Sequence, residues 1–465
     1  HRRRHSFPTR RSSDLLGDSN TGVSVTGDST VGGASTGQIT FGAITISDGK
    51  TLTVGAGAST PISMTTVSGV ASGSASNLTI NTAGAVTVSG AIGTDIGTLT
   101  ITNSGGTTFS GAVSATTVTL TNTTGTIAFN GALTATTLNT AAQAYNVGLN
   151  ATTGTITNAA TFSNTGTLAL GTTGGTLAFT GGITAIAPST VTVNGTVTAA
   201  VTGVINLGTV SVASNSTIGG TSTGQITLGA TTLADGVTLT LGTGIANAIS
   251  LSSVSGTASG SASNVTINTT GAVTASGAIG TDIGTLTITN SGGATFSGAV
   301  SAATVTLTTT TGTIGFNGGL TATTLSTASQ AYNVSIVGSS NSVTNAVTFS
   351  HTGTLTLGNG GDTLAFNSGV TATAPSAVTL GGTLNTNSAT VTLGGTTKTL
   401  TLVGTNSLIN TYADAGAGAA ISIAGPIQGT TALSESLSLK AKGSAITLSG
   451  VIGSSVSLGT LTLGD

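Results

Sequence analysis

The sequence predicts an all-β chain that winds into a right-handed parallel β-helix with turns of about 20 residues. Three observations support this fold: a long tandem repeat, a shorter repeat inside it, and strands in which threonine alternates with aliphatic residues. Tandem β-sandwich repeats are the alternative fold, in which strands recur roughly every 8 to 12 residues.

The long repeat keeps its register without insertions. Gln38 recurs as Gln225, 187 positions later, and residues 71–106 recur as residues 258–293 with three changes. All three changes keep small or β-branched side chains. The end of the chain, "SGVIGSSVSLGTLTL", resembles part of the second copy and predicts a third, diverged copy that is cut short.

The first fifteen residues differ from everything that follows. They hold five of the nine basic residues, and residues 5–15 read as the translation of a common sequencing adapter. A secretory signal needs an apolar stretch of about 7 to 15 residues after its basic start, and Leu15 and Leu16 run directly into "GDSN". We therefore expect an artefact here, and a chain that is a piece of a longer protein.

These patterns predict four segments along the chain. They are residues 1–15, a disordered artefact; residues 16–204, the first β-solenoid copy; residues 205–391, the second copy; and residues 392–465, a diverged third repeat.

The short repeat predicts the length of one turn. "FSGAVSATTV" at residues 109–118 recurs as "FNGALTATTL" at residues 129–138. Segments such as "TLTIT" at residues 98–102 alternate threonine with an aliphatic residue, which is the period of a strand with one buried face. Since one such turn cannot bury its apolar face alone, successive turns must stack.

Composition excludes several classes of protein. Charged residues make up 4% and aromatic residues 3%, whereas an ordinary soluble domain is roughly 25% charged. Disordered chains are usually charged and poor in β-branched residues, unlike this one. Beyond residue 15 only four basic residues face ten acidic ones, which excludes nucleic acid as a partner. Cysteine is absent, so the sequence offers no disulfide or thiolate metal site.

Two motifs carry a family resemblance. "GTLTITNSGG" at residues 97–106 and "NAATFSNTGTLALG" at residues 158–171 resemble the β-strand repeats of filamentous-haemagglutinin-like and autotransporter-like bacterial surface proteins. The resemblance implies a passenger fragment of a long secreted adhesin with a β-helical shaft. It also implies an extracellular or cell-surface location at the bacterial outer membrane.

Two aspartates recur between the copies. Asp48 and Asp235 precede glycine and predict turns. Asp95 and Asp282 lie in "GTDIG", for which we also prefer a turn or cap. Polysaccharide-cleaving sites use a pair of carboxylates, and one recurring carboxylate per motif does not supply that pair.

Two further residues are candidates for metal or catalytic roles. Asp362 in "GNGGDTL" is similar to a calcium-binding nonapeptide, but its equivalent in the first copy is Gly175. His351 is the one histidine beyond the N-terminal segment, and its equivalent is Asn164. We predict no calcium site, and an exposed turn position for His351.

The aromatic residues predict an interior stack in preference to a platform for sugars. Tyr145 and Tyr332 are expected to be packed rings with the hydroxyl at an edge. Threonine occurs on most strands, which favours simple solvation over an ice-binding face. The phenylalanines in question are Phe109, Phe129, Phe162, Phe179, Phe296, Phe316, Phe349 and Phe366.

The sequence as a whole predicts a structural shaft segment of a secreted or cell-surface bacterial adhesin, without catalysis, cofactor or bound metal. A surface-layer or biofilm-matrix protein and a carbohydrate-active β-helix enzyme are the alternatives. The expected partners are host-cell or matrix glycans or neighbouring surface proteins. Neither nucleic acid binding nor membrane insertion by this segment is expected.

Overall fold

A computed structural model describes residues 22–34 and 36–464. The segment that the sequence assigns to an artefact, residues 1–15, lies outside the described residues. The chain divides into two compact units, His1–Gly224 and Gln225–Asp465, which are described separately. The boundaries between copies, predicted after residues 204 and 391, remain predictions. A repeating sequence can be divided into equal copies from any starting residue.

The described part of the first unit consists of short strands joined by turns. Its strands are β1 (Val23–Val25), β2 (Ser29–Val31), β3 (Ile39–Phe41), β4 (Ile44–Ile46), β5 (Thr51–Val54), β6 (Ile62–Met64), β7 (Val67–Gly69), β8 (Ser76–Asn81), β9 (Val86–Val88), β10 (Ile92–Gly93), β11 (Ile96–Ser104), β12 (Thr107–Phe109), β13 (Val113–Thr123), β14 (Thr126–Phe129), β15 (Leu133–Thr140), β16 (Asn146–Leu149), β17 (Thr153–Ile156), β18 (Ala160–Thr161), β19 (Thr167–Leu170), β20 (Thr176–Phe179), β21 (Gly182–Ala185), β22 (Thr190–Val193), β23 (Thr196–Ala199), β24 (Val204–Leu207), β25 (Val210–Val212) and β26 (Ser216–Gly220).

The second unit repeats this pattern. Its strands are β27 (Ile226–Leu228), β28 (Thr231–Leu233), β29 (Thr238–Leu241), β30 (Ile249–Leu251), β31 (Val254–Gly256), β32 (Ser263–Asn268), β33 (Val273–Ala275), β34 (Ile279–Gly280), β35 (Ile283–Ser291), β36 (Ala294–Phe296), β37 (Val300–Thr310), β38 (Thr313–Phe316), β39 (Leu320–Thr327), β40 (Asn333–Ile336), β41 (Ser340–Val343), β42 (Val347–Thr348), β43 (Thr354–Leu357), β44 (Thr363–Phe366), β45 (Val370–Ala372), β46 (Ala377–Asn385), β47 (Val391–Leu393), β48 (Leu400–Asn410), β49 (Ile421–Ile423), β50 (Ile427–Gln428), β51 (Ser436–Lys440), β52 (Ile446–Leu448) and β53 (Leu461–Gly464).

The strands pair in parallel with the strands of the neighbouring turns. Phe109 of β12 lies beside Phe129 of β14 on the following turn and beside Val88 of β9 on the preceding turn. Each unit is therefore a right-handed parallel β-helix with about 21 residues per turn, and its described part is free of helix. The predicted fold class is confirmed, and the antiparallel sandwich alternative is excluded.

Three parallel ladders surround the interior of the first unit. Ladder A contains β3, β6, β9, β12, β14, β16, β19, β22 and β25. Ladder B contains β1, β4, β7, β10, β13, β15, β17, β20, β23 and β26, and ladder C contains β2, β5, β8, β11, β13, β15, β18, β21 and β24. The long strands β13 and β15 bend through the corner between ladders B and C and so belong to both.

The core consists of columns of side chains that point inward from equivalent positions. One column of ladder A contains Phe41, Met64, Val88, Phe109, Phe129, Leu149, Leu170, Val193 and Val212, all of them buried. Burying each large apolar side chain contributes roughly 1.5–3 kcal/mol. Stacking the turns therefore supplies the stability that a single turn lacks.

The outer faces of the ladders are coated with threonine and other small residues. Along ladder C, Thr53, Thr79, Thr100 and Thr119 lie beside one another on four successive turns. Both faces of a parallel sheet are usually covered by other elements, so the sequences of its strands are continuously apolar. Here the outer face is in water, which is why the sequence alternates threonine with aliphatic residues.

Candidate functional site

Asp95 occupies a tight turn between β10 and β11. Thr94 and Asp95 both have positive φ angles, 49° and 59°, and Thr281 and Asp282 repeat them at 50° and 57°. The main-chain carbonyl of Thr94 accepts a hydrogen bond from Gly69 N–H at 2.7 Å, and that of Asp95 accepts one from Ser76 N–H at 3.0 Å. The structure confirms the predicted turn and shows that it is joined to the preceding turn of the helix.

Gly69 is required beside this turn. A side chain at this position would place its Cβ only 2.4 Å from the carbonyl oxygen of Asp95, which no real Cβ tolerates. Gly256 is equally close to Asp282 in the second unit, at 2.5 Å. The backbone of the Asp95 turn is thus held by packing as well as by hydrogen bonds.

The carboxylates of Asp95 and Asp282 share a second feature. In each, Oδ2 is buried and has no hydrogen-bond partner, which is unusual because buried polar atoms are nearly always paired. Asp95 as a whole is half-exposed. Both copies thus keep an unpaired carboxylate oxygen at this position.

Asp95 lines an open groove of about 290 Å³, which we call the Asp95 groove. The groove follows the bend of β13 and β15, where outward hydroxyl residues alternate with buried Ala115 and Ala135. Its lining consists of Ala75, Asp95, Ile96, Ser114, Ala115, Thr116, Thr134, Ala135, Thr136 and Thr157. Sequence reasoning singled out Asp95 and missed the hydroxyl residues. The signal available was the recurrence of "SATT" as "TATT" one turn later.

Asp48 and Asp235 form turns, as predicted. Gly49 and Gly236, which follow them, have φ angles of 63° and 66°, a conformation that glycine adopts without cost. The Asp48 carboxylate lies against Gly73 of the following turn, where a Cβ would be 2.0 Å from Oδ2.

The Asp362 carboxylate is also engaged within the protein. Its Oδ2 accepts a hydrogen bond from Asn359 N–H at 2.7 Å, which fixes the "GNGGD" loop. In residues 22–34 and 36–464, histidine, cysteine, aspartate and glutamate form no group of three that could hold a metal ion.

The prediction that His351 is exposed is wrong. His351 is completely buried, stacked on Tyr332 with ring centroids 5.3 Å apart and edge-on to Phe349 at 5.8 Å. Neither ring nitrogen has a hydrogen-bond partner within normal geometry. Burial lowers the pKa of His351 to about 4, and the backbone of Thr354 acts in the opposite direction.

The aromatic residues form the predicted interior stack. Phe109 and Phe129 are stacked with centroids 4.9 Å apart, and Phe296 and Phe316 repeat this arrangement at 5.3 Å. Tyr145 is buried, as expected, but its hydroxyl is buried too. The hydroxyl donates to the Leu120 carbonyl at 3.2 Å and accepts from Ala141 N–H at 3.0 Å.

Sequence reasoning also missed the role of two lysines, which stabilise turns. Lys398 Nζ donates to the carbonyls of Thr373 and Ala374 at 2.7 and 2.6 Å. Lys442 Nζ donates to those of Ala415 and Gly416 at 3.1 and 2.7 Å. The two ammonium groups thus supply hydrogen-bond donors to carbonyl groups that lie in turns, outside the strands.

Glu435 similarly serves the protein's own backbone. Its carboxylate accepts hydrogen bonds from Thr430 Oγ1 and from Thr431 N–H, and the bond from Thr430 is the main cause that lowers its pKa. Burial acts in the opposite direction.

Comparison of this chain with protein-family models, with curated proteins and with solved structures finds no match. In the part of the chain that the structure describes, no helix has the length and apolar character needed to span a membrane. Fold and sequence together define the class as a right-handed parallel β-helix repeat protein.

Proposed function

We propose that this chain is a structural shaft segment of a secreted or cell-surface bacterial adhesin. The observation that carries the proposal is the register inside each unit, where equivalent residues of successive turns lie side by side. Thr79, Thr100 and Thr119 show this on the outer face, and Val88, Phe109 and Phe129 show it in the interior. A protein built this way lengthens by adding turns and needs no unique site.

The surface chemistry supports an extracellular location. Outward positions carry mainly hydroxyl residues, and the charged side chains of Lys398, Lys442 and Glu435 are bonded to turns. The motifs at residues 97–106 and 158–171 resemble bacterial surface repeats. We propose host-cell or matrix glycans, or neighbouring surface proteins, as partners, with no catalytic step and no cofactor.

One observation favours a surface-layer or biofilm-matrix protein as the second candidate. On ladder A, the outer positions of successive turns are Thr108, Ala128, Gly148, Ala169 and Thr192, with Gly148 covered by the side chain of Asn150. Such small residues let another flat surface approach closely. Lateral association between copies would use this strip.

Electron microscopy of the purified chain separates these two candidates. The shaft proposal expects separate single particles at all concentrations. Ordered sheets or bundles that disappear when Ala128 and Ala169 are both replaced by lysine would contradict it and favour the matrix protein. Replacement of outward Thr53 and Thr79 by lysine provides the matched control on ladder C.

Two further assays address location and catalysis. Antibodies against the purified chain should label intact cells of the bacterium that carries the gene, without permeabilisation. Incubation with a panel of polysaccharides should release no soluble products. Labelling only after permeabilisation, or release of oligosaccharides, would count against the proposal.

A further inference from the structure

The Asp95 groove has the form and chemistry of a ligand site. Its volume of about 290 Å³ is at the lower end of the roughly 300–1,000 Å³ of small-molecule sites. The groove is open to solvent along the bend of β13 and β15.

Hydroxyl groups dominate the polar lining. Ser114, Thr116, Thr134, Thr136 and Thr157 all have exposed side chains. A serine or threonine hydroxyl both donates and accepts hydrogen bonds, so this row can pair with ligand hydroxyls in either sense. Among the alanines of the lining, Ala75 is partly exposed and can contact the C–H face of a sugar ring, whereas Ala115 and Ala135 are buried.

Asp95 is the charged residue in the lining of the groove. A carboxylate is purely an acceptor and forms stronger hydrogen bonds than a neutral group, so it favours a ligand rich in donors. The lining has no basic side chain. An anionic ligand would therefore face the charge of Asp95 without compensation.

We propose that the Asp95 groove binds a short segment of a neutral glycan, with Asp95 accepting hydrogen bonds from sugar hydroxyls and the serine and threonine row completing the contacts. This inference rests on the proposed function in one respect, since it assigns the glycan partner proposed there to a particular groove. Failure of glycan binding leaves the shaft proposal standing, and the microscopy test leaves the glycan proposal standing.

The second copy provides a natural variant of the same site. Asp282, Ser301, Thr321, Thr323 and Thr344 stand at the equivalent positions, and Ala303 replaces Thr116. The bond from Thr344 N–H to the Ala322 carbonyl, 3.0 Å, matches the bond from Thr157 N–H to the Ala135 carbonyl, also 3.0 Å. The second copy thus has one hydroxyl fewer and is expected to bind more weakly.

The test uses the full chain and a defined set of probes. Neutral oligosaccharides of glucose, xylose, mannose and N-acetylglucosamine are titrated and followed by NMR, with a heparin oligosaccharide as the anionic probe. At least one neutral series should bind and heparin should not. Absence of binding by every neutral series, or a preference for heparin, would overturn the proposal.

Point variants locate the binding. Asp95→Asn keeps a residue that tolerates positive φ, and Thr134→Val keeps the β-branched shape. Each should weaken binding at the Asp95 groove, followed through the NMR signals of its own lining residues, by about tenfold, the effect of losing one good hydrogen bond. Asp48→Asn and Thr119→Val, which lie outside the groove, should leave the affinity unchanged. Equal affinity in all four variants, with circular dichroism showing intact folds, would place the glycan elsewhere and refute the site.

Discussion

At the scale of single residues, one equivalent buried position holds different side chains in the two copies. Asn164 is buried, and its amide donates to the carbonyls of Tyr145 at 3.1 Å and Thr167 at 3.2 Å. His351 stands at the equivalent position, stacked on Tyr332, and its ring nitrogens make no hydrogen bond of normal geometry, although the backbone of Thr354, the counterpart of Thr167, still favours its charged form. The histidine is therefore held mainly by burial and ring contacts, and burial favours its neutral form.

This difference predicts a pH-dependent stability that His351→Asn removes. Because burial lowers the pKa of His351 from 6.5 to about 4, its contribution to stability is complete above pH 6.5 and decreases as the pH falls towards 4. The loss amounts to at most about 3 kcal/mol. Tyr332, whose pKa is raised to about 12 by burial, stays neutral throughout. Urea unfolding at pH 7.0 and 4.5, compared between wild type and variant, measures the effect.

Asn164→His is the matched control, since it introduces a histidine into the same position of the first copy. It should add a pH dependence of the same sign. If wild type and His351→Asn lost equal stability between these pH values, the account of a neutral buried histidine would be wrong.

The sequence could have predicted the burial of His351. Phe349 points inward, and the two-residue alternation of a strand then places His351 inward as well. Its replacement by asparagine in the first copy suggested an exposed residue instead. The phenylalanine stack was easier to predict, because its regular spacing matches one turn.

At the scale of elements, glycine columns set the corners of the turns. A Cβ at Gly111 would be 2.3 Å from the backbone carbon of Gly90, and one at Gly131 would be 2.2 Å from that of Gly111. Successive backbones approach this closely where "SG" or "NG" follows β9, β12 and β14 of ladder A. The regular recurrence of this motif in the sequence reflects that contact.

Gly131→Ala should therefore destabilise the first unit, by about 1–3 kcal/mol, as expected for overpacking against rigid backbone. Gly93→Ala is the control. At Gly93 a Cβ would meet the Ser114 Cβ at an ordinary 3.5 Å, so its effect should stay within about 0.5 kcal/mol. Thermal unfolding followed by circular dichroism makes the comparison, and equal midpoints for the two variants would contradict the crowding at this corner.

The sequence predicted the turn length and the strand period, but it did not predict the Asp95 groove. Turn length follows from local spacing, which is visible as a repeat. The groove depends on the bend of β13 and β15 between ladders B and C, and that bend is a property of stacked turns. Asp95 had a distinguishing signal in sequence through its recurrence as Asp282, and the hydroxyl residues had only the recurrence of "SATT" as "TATT".

At the scale of the whole molecule, the central claim is that each unit stacks turn upon turn in parallel with a fixed register. The absence of cysteine makes this claim directly testable, because two introduced cysteines can pair only with each other within a chain. Register partners on neighbouring strands have Cα atoms close enough for a disulfide. The repeat further requires that a pair in one copy behave like its counterpart in the other.

The decisive measurement is disulfide formation in cysteine pairs, followed by mass spectrometry under non-reducing conditions. Thr100 lies beside Thr119, and Thr287 lies beside Thr306 in the second copy. The account predicts that both pairs, changed to cysteine, oxidise readily within the folded chain. Asn103 and Thr108 would instead face each other if Gly105 and Gly106 formed the two-residue turn of an antiparallel hairpin. Efficient linkage of Asn103→Cys with Thr108→Cys, and none in the two parallel pairs, would contradict the fold.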